Sequence, residues 1–288
     1  MKVLITGSSG FLGRQIVECA LSKGFEVVGL RRMAPALTEP KHPNLQWVIS
    51  DLQGIGSEHF ADIDCLIHAA SAGVMNQEDL SLLLKTNFNE SVSLLSAAVE
   101  SGVSKFIVIG SWFEYGNSCS TYASIPANAP LLPLCDYGIS KAAFSLTALG
   151  LGRMHKLDMT LARVFHLYGE REPEHRFWQS LRRAAQNGED FSMTKGEQIR
   201  DCISVGDAAN QIVQRLNSSG TETVANKTLN IGTGNGSSLF DFASYWWKRW
   251  NAKGRILQGA LPYRKNEIMR CIANMDVHIE NFSSIAKD

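Results

Sequence analysis

No charge of either sign predominates in this 288-residue chain, in which 28 lysines and arginines stand against 28 aspartates and glutamates. Proteins that track a phosphate backbone carry a basic excess, so nucleic acid is excluded as the main partner, although a local anion site is not. Long apolar runs are missing too. The longest, residues 142–152, is shorter than a membrane span and carries Ser145 and Thr147, so no membrane association is expected. The six cysteines (Cys19, Cys65, Cys119, Cys135, Cys202 and Cys271) include no CxxC pair, which argues against both a zinc site and a disulfide framework and leaves most of them as small core residues. Histidines and carboxylates form no ligand-like cluster, and no metal is expected. A strand pattern begins by Lys2, leaving no room for a signal peptide. These absences together predict a soluble, cytoplasmic protein of a reducing compartment. At this length a chain buries roughly three quarters of its surface on folding, so its core needs no metal or disulfide to hold it.

What is present is alternation. Short apolar runs at 3–6, 27–30, 47–49, 65–68 and 106–109, each bounded by Gly, Asp or Ser, have the length and composition of buried strands. Helical patterns at 12–22, 80–100 and 137–155 lie between or after them, and 159–164 adds another strand. This alternation predicts an α/β fold, a doubly wound parallel sheet with helices on both faces. After Gly169 the regularity falls away: 171–176 is charged, contains Pro173 and reads as a loop, and a helix is expected over 177–187. The division expected is a nucleotide-binding unit over 1–165 and a smaller C-terminal lobe over 166–288, partly interleaved with it. Trp246, Trp247 and Trp250, at near-helical spacing, are expected to form a packed helix face.

The opening stretch LITGSSGFLG places Gly7, Gly10 and Gly13 directly after a strand and at the mouth of a helix, with Phe11 and Leu12 opening that helix. Small residues there let the backbone approach a pyrophosphate, and the helix N-terminus supplies free N–H groups and a positive dipole. The second strand ends in GLRR. A site for NAD usually carries an acidic residue about there for the ribose 2′-hydroxyl. Arg31 and Arg32 instead suit the 2′-phosphate of NADP(H), with NAD(H) as the alternative.

Farther along, Tyr137 and Lys141 (YGISK) lie one helical turn apart on one face, and Ser111 ends the fifth strand. With the G-x-x-G-x-x-G loop ahead of them, they resemble the Ser–Tyr–Lys apparatus of the extended short-chain dehydrogenase/reductase superfamily, in its nucleotide-sugar epimerase/dehydratase branch. Asp51–Leu52, His68–Ala69–Ala70, Asn87, LARVFHLYGE (161–170), IRDCISVGDAA (199–209), LNIGTG (229–234) and LPYRKNEIM (261–269) extend the likeness over almost the whole chain. The resemblance implies a Rossmann-type sheet, a nicotinamide cofactor and a C-terminal substrate lobe. It also implies that Asp51 and Leu52 lie at the adenine, that Ala69, Ala70 and Asn87 lie along the cofactor, and that Lys141 holds the nicotinamide ribose. Homodimers formed through the helices after strands four and five are implied as well.

A phenol with an ordinary pKa of about 10 must be shifted to trade protons near neutrality, and the resemblance gives that task to Tyr137, with Ser111 donating to the developing oxyanion. Dehydratases of the branch carry Asp-Glu immediately after the strand-five Ser or Thr. This chain has Trp112 and Phe113 there, and Glu114 comes one position too late, so elimination of water lacks its acid and base. Two reactions stay open: NADPH-dependent reduction of the C4 ketone of a nucleotide-linked 4-keto-6-deoxy or 3,6-dideoxy hexose, as in abequose- and paratose-forming reductases, and NAD-dependent 4-epimerisation. A non-catalytic NADP-sensing protein is the reading from another class. Arg200 and Arg264 match diphosphate-binding positions, and Trp112 and His166 stand where the sugar is contacted, although His166 replaces a more usual Asn and suits a core histidine equally well.

Overall fold

The computed structural model describes residues 1–35, 41–73, 79–217 and 225–281, so the expected C-terminal lobe runs partly outside the described residues. The first half delivers strand and helix in turn: β1 (Lys2–Thr6), α1 (Phe11–Ser22), β2 (Glu26–Arg31), β3 (Leu45–Ile49), β4 (Cys65–His68), α2 (Leu80–Leu84), α3 (Ser91–Glu100), β5 (Lys105–Ser111), α4 (Asp136–His155) and β6 (Asp158–Val164). The second half contains β7 (His166–Tyr168), α5 (Phe177–Asn187), β8 (Phe191–Met193), β9 (Ile199–Arg200), β10 (Cys202–Ser204), α6 (Val205–Gln214), β11 (Ala225–Ile231), β12 (Ser237–Ser238), α7 (Leu239–Arg249), β13 (Ile256–Gln258), β14 (Arg270–Cys271) and β15 (His278–Asn281).

Eight strands form the central sheet in the order β15-β11-β6-β5-β4-β1-β2-β3, parallel throughout except at the antiparallel edge strand β15. Both faces are covered, which is why the inner strands read as unbroken apolar runs rather than alternating ones. Val3 and Ile5 pack with Ile67, Ile107 and Ile109 under α1 and α6, whereas Leu4 packs with Leu66, Phe106 and Val108 under α3 and α4. The sheet is thus a Rossmann-type doubly wound sheet. Its strand order reverses between β1 and β4, and the crevice at their carboxyl ends is where such sheets bind ligands.

The pattern over 80–100, read as one helix, is broken by a π-helical turn at Lys85–Glu90 between α2 and α3. The wider turn carries Asn87, which is buried. The C-terminal half returns to the main layer, since β11 pairs with β6 and α6 lies against α1. The remainder forms three small sheets (β7 with β10, β9 between β12 and β14, β8 with β13) and the helices α5 and α7. Trp246 and Trp250 of α7 stack at 5.2 Å, and both meet Trp178 of α5 edge-on. Trp247 is buried and donates its Nε1–H to the Gly254 carbonyl at 3.0 Å. The tryptophans are therefore a packed face. Among the described residues, no helix is long and apolar enough to cross a membrane.

Candidate active site

The loop between β1 and α1 is built for close approach. Gly7 holds φ +66°, and a Cβ there would lie 2.7 Å from the Ala70 nitrogen at the end of β4. A Cβ on Gly13 would meet the Gly7 carbonyl oxygen at 2.1 Å, so the helix can start against the loop only because both residues are glycine. Gly10 caps α1 without any side-chain bond, and no acidic residue occupies the first turn at Phe11, Leu12 and Gly13. The start of α1 thus presents N–H groups and a positive dipole at the sheet's switch point, a cradle that fits a dinucleotide pyrophosphate. Ala69 and Ala70 form its far wall, tied to β1 by the Ala70 N–H donating to Thr6 Oγ1 at 3.2 Å.

At the end of β2, Arg31 is buried with its guanidinium 4.8 Å from the centroid of Trp47, while Arg32 is exposed. A planar cation on an aromatic face is held in place while its edge N–H groups stay able to bond. Asp51 is exposed and accepts from the Gln53 and Gly54 N–H groups, which shapes the turn after β3, and Leu52 is buried beneath it.

The structure brings Ser111 and Tyr137 together. The hydroxyls of Ser111 and, unforeseen from the sequence, Ser71 face the Tyr137 phenol closely enough to favour its ionised form. Burial pushes this phenol up to about 12; the two serine hydroxyls and Arg176 pull it down, and Glu114 opposes ionisation. Lys141, one turn further along α4, is buried and donates from Nζ to the Ile109 carbonyl at 2.7 Å. Desolvation lowers it to about 8. Asn87 closes the arrangement. Its Oδ1 accepts from the Ala72 N–H at 2.7 Å and from Ser71 Oγ at 3.2 Å, and its Nδ2 donates to the Ala72 carbonyl and to Ser140 Oγ, both at 3.0 Å. Every bonding position of this buried amide is filled, so it fixes the segment after β4 against α4.

His68 lies behind the loop. Thr6 Oγ1 receives the Ala70 N–H and lies 2.9 Å from His68 Nδ1; Ser91 Oγ donates to the Thr86 carbonyl and lies 3.0 Å from His68 Nε2. Those partners assign the neutral Nε2–H tautomer. Burial, with the Lys141 charge adding to it, lowers His68 to about 3.

Glu114 turns away from the reacting face. It is fully buried, accepts from the Ser111 N–H at 2.7 Å and pairs with Arg163 Nε at 2.6 Å. Arg163 also donates to the Tyr115 hydroxyl and to the Ala127 carbonyl. Trp112 is buried and stacked on His166, with ring centroids 4.4 Å apart and planes at 30°. Burial, with Arg200 and Arg176 adding to it, holds His166 well below its ordinary pKa, and its Nδ1 is a buried atom without a hydrogen-bond partner among the described residues. Arg200 is buried 5.8 Å from the Trp112 ring and paired with Glu267 at 2.7 Å, while Arg264 is exposed on the segment leading to Glu267. The sequence reading missed Ser71, Arg176 and the Glu114–Arg163 pair. The one signal for Ser71 was its place directly after His68–Ala69–Ala70. Asp201, beside Arg200, is structural: buried, it accepts from the N–H groups of Thr233, Gly234 and Ala273.

Residues 3–232 match the NAD dependent epimerase/dehydratase family. The CDP-abequose synthase of Salmonella typhimurium is 26% identical over 278 residues, covering 94% of this chain and 89% of its own. A putative UDP-glucose 4-epimerase of Methanocaldococcus jannaschii is 25% identical over 256 residues, covering 84% and 81%. Among solved structures, a UDP-N-acetylglucosamine 4-epimerase from Methanobrevibacter ruminantium superposes with a TM-score of 0.84 at 23% identity, over 95% of this chain and 89% of that one. A match spanning the glycine loop, the Ser–Tyr–Lys residues and the return strand β11 places the chain in the NAD dependent epimerase/dehydratase family of nucleotide-sugar enzymes.

Proposed function

We propose that this enzyme is a reductase that uses NADPH to convert the C4 ketone of a nucleotide-activated 4-keto-6-deoxy or 3,6-dideoxy hexose to an alcohol. The observation that carries the reading is the Glu114–Arg163 pair, which engages the acid that follows Ser111 and leaves it unavailable for elimination. Elimination of water needs an acid and a base at that position, whereas ketone reduction needs only a proton donor and an oxyanion partner. The resemblance to a CDP-abequose synthase supports the same reaction class.

When bound, the reduced nicotinamide supplies a hydride equivalent. Gly7, Gly10, Phe11, Leu12 and Gly13 would hold the pyrophosphate, Arg31 and Arg32 the 2′-phosphate, Asp51 and Leu52 the adenine end, and Ala69, Ala70, Asn87 and Lys141 the remainder. Tyr137, neutral at pH 7 as an ordinary phenol is, carries the proton that a developing alkoxide takes up; burial moves it to about 12, away from neutrality and opposite to the shift expected from the sequence. Ser111 orients the carbonyl oxygen. Lys141, fixed on the Ile109 carbonyl, keeps a donor within the wall of the site. Arg200 and Arg264 would take the diphosphate. Trp112 and the neutral His166 would bound the sugar, the partnerless Nδ1 of His166 meeting a sugar hydroxyl.

A 4-epimerase is the second reading, favoured by the likeness to the M. jannaschii protein. A silent NADP-sensing protein is disfavoured by the intact Ser111, Tyr137 and Lys141. We further propose a homodimer: α4 carries Ile139, Leu146 and Met154 exposed on its outward side. The test of function is NADPH oxidation against a panel of nucleotide-linked 4-keto-6-deoxy sugars. Oxidation supports the reductase. Interconversion of 4-epimers without net NADPH consumption replaces it with the epimerase, and binding without either reaction leaves the sensor.

A further inference from the structure

We infer that Cys119 and Cys271 are a reversible oxidation site, a dithiol that hydrogen peroxide closes to a disulfide, fastening the turn Asn117–Ser120 to β14. The inference is independent of the reaction proposed above.

The two sulfurs lie 3.2 Å apart although 152 positions separate the residues. Cys119 belongs to the turn Asn117–Ser120, and Cys271 belongs to β14, where it stands in register with Arg200 of β9. Hydrogen bonds lace the two segments together on both sides of Cys271. Arg270 Nε donates to the Ala123 carbonyl at 3.0 Å, and the Ile125 N–H donates to the Ile272 carbonyl at 2.8 Å. The Asn274 N–H then returns to the Ile125 carbonyl at 3.0 Å. The approach of the sulfurs is thus held by the main chain and not by two free rotamers. A disulfide needs them at about 2.05 Å, so a closure of roughly 1.2 Å completes the bond.

The surroundings divide the roles. Both thiols are buried, packed with Trp112, Tyr115 and Phe165. The hydrogen bond from Cys271, with the Arg200 charge adding to it, lowers the Cys119 thiol against the effect of burial. Burial, and then the same bond, push Cys271 well above the ordinary thiol range. Cys119 is therefore the thiolate that attacks, and Cys271 is the thiol that resolves. Access runs through the turn. Asn117, Ser120 and Thr121 around Cys119 are exposed. The Ser118 N–H donates to the Tyr115 carbonyl and the Thr121 N–H to the Ser118 carbonyl, both at 3.0 Å. Opening that one turn uncovers Cys119 to a reagent little larger than water.

The chemistry balances in two steps. The Cys119 thiolate attacks one peroxide oxygen and breaks the O–O bond, giving a sulfenic acid and a hydroxide that recovers the thiol's proton as water. The Cys271 sulfur then attacks the Cys119 sulfur and displaces its hydroxyl, which leaves as water with the Cys271 proton. Two thiols lose two hydrogens and two electrons, and one hydrogen peroxide is reduced to two waters.

The test uses the full chain carrying Cys135→Ser, which removes an exposed thiol able to cross-link copies. Hydrogen peroxide is added in steps. Thiols are counted in denaturant, linked peptides are mapped without reductant, and Tm is followed by calorimetry. Two thiols are expected to disappear together, with one peptide pair joining Cys119 to Cys271. Closing so long a loop is expected to raise Tm by roughly 5 °C or more, and dithiothreitol should reverse every change. Cys119→Ala and Cys271→Ala, each in the same background, should abolish the linked peptide and the rise in Tm. Oxidation of Cys119 through to a sulfinic acid with Cys271 still free overturns the inference. Survival of both thiols at a peroxide level that fully oxidises Cys135 in the wild type does so too. A bridge that leaves Tm unmoved overturns the fastening. If an alanine variant fails to fold, the linked peptide and the Tm shift of the parent protein decide the matter by themselves.

Discussion

Arg163 Nε lies 2.6 Å from Glu114 Oε2, and neither side chain is more than 4% exposed. The pair joins β6 to the turn that follows Ser111, and Glu114 Oε1 also takes the Ser111 N–H. Removing one member leaves the other charge buried and unpaired, which typically costs about 3–5 kcal/mol. Arg163→Met is therefore expected to lower the unfolding free energy by an amount of that order, seen as a lower urea midpoint with the m-value unchanged. A shift under about 1 kcal/mol by equilibrium urea unfolding would show that the pair is not what holds this turn.

His68 makes a separate prediction about acid. It is neutral in the fold and takes up a proton only near pH 3, whereas an unfolded histidine does so near 6.5. Between those values the unfolded chain binds the extra proton. Stability is therefore fully present above pH 6.5 and falls as pH drops toward 3, by up to about 1.4 kcal/mol per pH unit. His68→Asn, which keeps an acceptor toward Thr6, should flatten the Tm-against-pH curve over that window. An unchanged slope would place the acid sensitivity elsewhere.

Tyr137→Phe keeps the ring that packs edge-on against Phe113 at 5.7 Å and removes only the hydroxyl. Loss of a positioned proton donor typically costs about 10²–10⁴-fold. Steady-state turnover should fall by that factor, while NADPH affinity by fluorescence titration stays within about threefold.

The proposed preference for NADPH rests on Arg31 and Arg32. A charge-assisted bond to a phosphate oxygen is worth about 1.5–3 kcal/mol. Replacing both arginines by alanine should weaken NADPH by about 10- to 100-fold and leave NADH nearly unchanged, as measured by calorimetry. Equal weakening of both cofactors would instead assign Arg31 to packing on Trp47.

Leu146 is 59% exposed on α4. If that face meets a second copy, Leu146→Glu should shift the mass seen by light scattering from dimer to monomer with the fold intact by circular dichroism. A wild type that is monomeric at micromolar concentration would remove the dimer.

The strands β1–β6 and the helices α1, α4 and α5 were legible within a residue or two, because both-face burial writes continuous apolar runs and helical burial writes a 3.6-residue period, whereas the later strands β7–β15 were not. The glycine loop was legible for a local reason as well: Gly7 and Gly13 answer steric demands a few residues apart. The π-helical turn at Lys85–Glu90 was not, since one extra residue in a turn leaves no mark on a periodic pattern. Nor was the approach of Cys119 to Cys271, whose sulfurs lie 3.2 Å apart although the residues are 152 positions distant.

The sequence alone therefore determined the layer architecture, the glycine loop, the order of Ser111, Tyr137 and Lys141, and the absence of an acid at 112 and 113. Only the tertiary structure decided which partners those residues keep. Ser71 is held by Asn87, Glu114 is taken by Arg163, and Trp112 stacks on His166, because parallel crossovers bring the carboxyl ends of β4, β5 and β6 to one edge of the sheet. Local patterns record what each segment buries. Contacts between strand ends depend on how the segments are stacked, and that information is spread over the whole chain.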